Sequence, residues 1–83
     1  MPKVEAILRE LVKGYIEDPS IKPNDIYFRT WLAEEVFKRT NIAPEFTKKI
    51  LVNLVKTDTG FLEDLQKAQK LVAVRAAYDR QNP

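Results

Sequence analysis

The chain has 83 residues, which is room for one domain and one core. Its 14 Lys+Arg stand against 12 Asp+Glu, a formal charge of +2, which excludes a polybasic tail and an acidic disordered chain alike. Apolar residues make up 45% and glycine only two positions, so the chain is expected to fold; with no cysteine and no histidine, disulfides, thiolate chemistry, histidine acid–base work and the usual zinc sites are excluded.

The first element reads as a helix from about Lys3 to Val12, reaching Glu17 if Gly14 is accommodated. Val4, Ile7, Leu8, Leu11, Val12, Tyr15 and Ile16 recur in alternating steps of three and one, which is one buried helical stripe. Pro2 suits a first helical position, where its missing N–H is not needed. Gly14 allows a left-handed stop, or it stands inside the helix at roughly 1 kcal/mol relative to Ala. The stripe continues past it and favours the second. Asp18-Pro19 and Lys22-Pro23 then predict a loop to Asn24, because a residue before proline avoids the helical region. Ile21 between them is expected to plug the core.

A second helix is expected to begin near Asp25 or Thr30, either of which can cap it, with Ile26-Tyr27-Phe28 as a brief extended alternative. Its stripe is Phe28, Trp31, Leu32 and Val36, broken by Glu35 and widened by Phe37. It should stop near Thr40-Asn41, with Lys38 and Arg39 at its negative end. After the turn Asn41-Ile42-Ala43, Pro44 and Glu45 open a third helix. Its core stripe reads Phe46, Ile50, Leu51, Leu54, Val55, and its opposite face Thr47, Lys48, Lys49, Asn53, Lys56. Thr57-Asp58-Thr59-Gly60 interrupts the pattern and supplies a cap for a fourth helix, with Glu63 and Asp64 in its first turns. Phe61, Leu62, Leu65, Ala68, Val72 and Ala76 keep helical spacing to about Asp79, leaving residues 80–83 as a frayed tail. Around residues 71–77 the helix is apolar on most sides, which predicts a central place in the bundle or contact with a partner. No stretch alternates like a strand. The expected fold is all-α: one domain over residues 1–83, a bundle of about four helices, the second and third joined as a helix–turn–helix-like pair.

That pair is the most suggestive feature. Such a geometry presents a recognition helix to the DNA major groove. Lys48, Lys49 and Lys56 would neutralise phosphates, and Thr47 and Asn53 would lie near bases. No acid lies between Glu45 and Asp58. Residues 1–41 hold seven basic and seven acidic groups and residues 42–83 seven and five, so the whole excess sits in the second half. Leu32-Ala33-Glu34-Glu35-Val36 through Ile50-Leu51, about a quarter of the chain, loosely resembles the opening helical hairpin of HU-type DNA-bending proteins. The β-arms such proteins use for DNA have no counterpart here. The expectation is a small DNA-binding or regulatory protein. The alternative is a protein-interaction or assembly module using Leu71, Val74 and Tyr78 of the apolar C-terminal helix, toward another protein or a second copy.

Catalysis is not expected. Glu34-Glu35 and Glu63-Asp64 are helix neighbours that point about 100° apart, so neither pair converges on a substrate. Ser20, the sole serine, sits in the proline loop. The acids around Asp58-Thr59-Gly60 are too few and too closely spaced for a calcium loop and read as caps, so no metal and no cofactor is expected. Phe28, Trp31, Phe37 and Phe46 read as core and Tyr15, Tyr27 and Tyr78 as surface aromatics. The longest apolar run, Leu71-Val72-Ala73-Val74, falls far short of the ~20 residues of a membrane span. Lys3, Glu5, Arg9 and Glu10 stand where a signal peptide would be apolar, so a cytoplasmic location is expected.

Overall fold

The computed structural model describes residues 2–23 and 27–81. Among these there are four helices and no strand: α1 (Pro2–Glu17), α2 (Phe28–Thr40), α3 (Pro44–Thr57) and α4 (Thr59–Gln81). The all-α fold follows from the periodicities. Val4, Leu8, Leu11, Val12 and Tyr15 of α1 are all buried, as their spacing requires. Gly14 is helical, and a Cβ there would meet nothing within 4 Å. The stripe therefore carries the helix through it to Glu17.

Each helix end has a local cause. At the exit of α1 the Asp18 carboxylate accepts the Ser20 N–H at 2.9 Å and the Ser20 hydroxyl at 2.6 Å, closing the turn around Pro19. These bonds hold the Asp18 carboxyl below its ordinary value, the Ser20 hydroxyl contributing most. Ile21 packs against the core as expected. Asp25 lies outside the described residues, and Thr30 sits within α2 rather than capping it. The residue before α2 is Tyr27, in extended backbone and without a side-chain cap. Asn41 ends α2 in the left-handed region, φ 64°, its N–H bonded to the Phe37 carbonyl at 2.8 Å. The Thr40 hydroxyl donates to the Val36 carbonyl and accepts the Ile42 N–H, which fixes the path into Pro44.

The break before α4 is a single residue. Asp58 ends α3 through its N–H to the Leu54 carbonyl and caps α4 with its carboxylate on the Phe61 N–H at 3.1 Å. Its other oxygen accepts from Arg9 of α1 at 2.9 Å. Arg9 and the Phe61 N–H, in that order, hold the Asp58 carboxyl below its ordinary value.

Packing places α1 and α3 against all the other helices, while α2 and α4 scarcely touch. The central place expected for α4 therefore belongs to α1 and α3. In α4 only Phe61, Leu65 and Ala68 are fully buried; Leu71 and Val72 pack on the margin, and beyond them the helix overhangs. Arg80 and Gln81 continue the helix where a frayed tail was expected, and residues 82–83 lie outside the described part. At ~1.5 Å per residue, a helix of 23 residues is longer than the layer it lies on. Two contacts tie the overhang down. Arg75 donates to the carbonyls of Tyr15 and Ile16 at 2.8 and 3.2 Å, with its guanidinium 4.6 Å from the centre of the Tyr15 ring. Lys22 pairs with Asp79 at 3.1 Å.

Candidate functional site

The outer face of α3 is only partly the one its sequence suggests. Lys48, Lys49, Asn53 and Lys56 are exposed. Thr47 is not: it is 0% exposed, and its hydroxyl has no hydrogen-bond partner among the described residues. Phe46 takes the opposite fate, being 59% exposed although assigned to the core. The inward face is Thr47, Leu51 and Leu54, with Ile50 and Val55 at its edges. The helix thus keeps nearly the facing of its hydropathy stripe: at about 100° per residue Thr47 falls between Leu54 and Leu51, inside the stripe, and Phe46 falls at its outer edge. Thr47 lies three or four residues before Ile50 and Leu51 and so shares their side whatever its polarity. Lys49 lies 6.0 Å from the Phe46 ring centre, at the outer limit of a cation–π contact.

Two grooves flank α4. The first, about 520 Å³, opens where α2 and α4 fail to meet across α3. Leu51, Val52 and Val72 give it an apolar lining, and Arg29 and Lys48 border it. Among the described residues neither cation forms an ion pair, and none of the lining residues is acidic. The second, about 840 Å³, lies between the proline loop and the overhanging half of α4. Gln69 and Val72 line both, so the two are continuous along α4.

Compared with protein-family models, curated proteins and solved structures, the chain matches none of them. The assignment of a site therefore stands on geometry. Of the three α4 residues expected at a partner surface, Val74 and Tyr78 are 63% and 65% exposed, while Leu71 is half-buried against the chain's own core. The surface aromatics need correction. Tyr15 is 1% exposed and stacks in a cluster with Phe28 and Trp31, ring centres 5.1–6.2 Å apart. Phe37 and Phe46, assigned to the core, are exposed.

Lys38 and Arg39 do not extend the basic face of α3. Lys38 pairs with Glu35 at 3.5 Å and Arg39 with Glu10 of α1 at 3.7 Å. Among the described residues no group of three or more acids stands close enough together to hold a metal ion, and no helix is long and apolar enough to cross a membrane. Arg29, Val52 and Gln69 were not legible as site residues. They come from three different helices and acquire a common role only where those helices leave a gap.

Proposed function

We propose that the chain is a protein-interaction module, with the overhanging half of α4 and the trough beside it as its recognition surface. One observation carries this reading. Val74 and Tyr78 stand largely in solvent on a helix segment that lies beyond Val72, the last residue of α4 packed against the hydrophobic cluster. Large apolar side chains left exposed on a surface are the usual material of a protein contact. The near-neutral charge is in keeping with such a partner.

The test is site-specific photocrosslinking from position 74, with position 13 on the exposed side of α1 as control. A discrete adduct from 74 alone, either with a second copy or with another protein, is the expected outcome. Equal, diffuse labelling from both positions would remove the reading. Val74→Asp with Tyr78→Asp should abolish the adduct formed from a neighbouring position such as 77, with the fold intact by circular dichroism.

A second reading, duplex DNA on α3, is favoured by the absence of ion pairs at Lys48, Lys49 and Lys56 among the described residues. It is weakened by Phe46 and Val52, which stand exposed on the same helix, and by the burial of Thr47. Each phosphate contact would release counterion, so binding to a duplex should fall steeply with salt and be lost in Lys48→Glu with Lys49→Glu. Absence of binding at low salt would dispose of it.

A further inference from the structure

The groove between α2, α3 and α4 joins two features that the sequence keeps apart. Its lining carries exposed Val52 and half-buried Val72 above the buried Leu51, surface that gains from covering. Arg29 from α2 and Lys48 from α3 border it, both exposed, and among the described residues neither forms an ion pair and no acid lines the groove with them. Positive charge beside an apolar lining selects an occupant with the complementary arrangement. An apolar side chain fills the groove while a carboxylate meets the cations in charge-assisted hydrogen bonds, Arg29 offering the planar fork that binds carboxylate through two of them.

We propose that this groove docks an acidic amphipathic segment of a partner protein, its apolar side chain on Val52 and Val72 and its carboxylates on Arg29 and Lys48. The proposal rests on the interaction-module reading and names the partner's chemistry. The trough explains why the occupant is a length of chain. The 520 Å³ groove continues past Gln69 and Val72 into the 840 Å³ groove beside the overhanging half of α4. A segment lying along α4 would therefore meet the basic groove at one end and the Val74 side of the helix at the other. A nucleic-acid duplex is convex and evenly anionic, and would leave the apolar lining unfilled.

The test pans random dodecapeptides displayed on phage against the full chain, then measures one synthetic peptide from the enriched set by calorimetry. The enriched sequences should place Asp or Glu within a turn of Leu, Ile, Phe or Trp. Arg29→Glu with Lys48→Glu should weaken the peptide by about tenfold or more, and the single Gln variants by a few-fold. Val52→Asp should weaken it as well by placing a charge in the apolar part. All three positions are exposed, so the variants should keep the wild-type circular dichroism and melting curve. The proposal is overturned if enriched peptides lack acids, if their binding is indifferent to the double charge reversal, or if duplex DNA displaces the peptide and itself loses binding in that variant. Peptides that bind but respond only to Val74→Asp and Tyr78→Asp would sink the groove and leave the module standing. No enrichment at all would sink both.

Discussion

The two halves of α4 share one helix, yet they do opposite things. In the first half Phe61, Leu65 and Ala68 are buried and help to close the core. From residue 73 onward the same kinds of side chain stand outside it. The second half is if anything the more apolar, so hydrophobicity along a helix did not decide which half was buried. Length did: the layer of α1 and α3 ends before α4 does. A run of apolar residues is a demand for cover, and it is met only as far as the neighbouring helices extend.

The largest effect should come from exchanging equivalent truncations between the halves. Leu65→Ala, at a fully buried site, should cost about 2–5 kcal/mol in urea unfolding, whereas Val74→Ala should stay within about 0.5 kcal/mol. Similar losses at both would mean that the overhang is packed after all. Next comes Arg75, which ties the overhang to the end of α1. Arg75→Ala should lose about 1–2 kcal/mol and should raise hydrogen exchange in α4 after residue 72 more than before it. Uniform loss of protection along α4 would contradict a local tether.

A smaller effect, of opposite sign, is expected at Thr47. Thr47→Val removes a buried hydroxyl with no partner among the described residues while keeping the shape, and should raise stability by about 1 kcal/mol. If Thr47 served a nucleic-acid face, the same change would leave stability alone and weaken DNA binding. The smallest effect is read as a pH dependence at the start of α4. The Asp58 carboxyl is lowered from its ordinary value of 3.8 chiefly by the Arg9 hydrogen bond and then by the Phe61 N–H. Its stabilising contribution is therefore present above the unfolded value and is lost as pH falls below about 3.8 toward the folded one. Asp58→Asn keeps an oxygen for the Phe61 N–H and forfeits the ion pair. It should be less stable than the parent at neutral pH, with the difference closing below about pH 4. A difference that does not narrow there would mean that the charge on Asp58 contributes nothing.

Much of the fold was legible from local chemistry. Proline, asparagine and aspartate act on the backbone within a turn of themselves, so Pro44, Asn41 and Asp58 marked their helix ends without help from distant residues. The start of α2 was not legible, because Tyr27 precedes it with no side-chain cap to read. The candidate site was less legible still. Lys48, Lys49, Asn53 and Lys56 lie on the predicted outer side, but at the margin of the stripe polar Thr47 is buried and apolar Phe46 is exposed. A hydropathy stripe fixes a helix's facing only to within the width of the stripe, and α3 packs against three helices whose shapes choose within it.

By itself the sequence determined the class of fold, the order of the helices and their stops, and the absence of histidine and cysteine chemistry, because each of these depends on residue type or on neighbours within about a turn. Tertiary structure alone decided that α1 and α3 rather than α4 lie at the centre, that Arg75 crosses the chain to hold the end of α1, and that Arg29 and Lys48 border one apolar groove. These are relations between residues some 20 to 60 positions apart, set by relative helix length and by which pairs of helices fail to meet, and no local pattern encodes them.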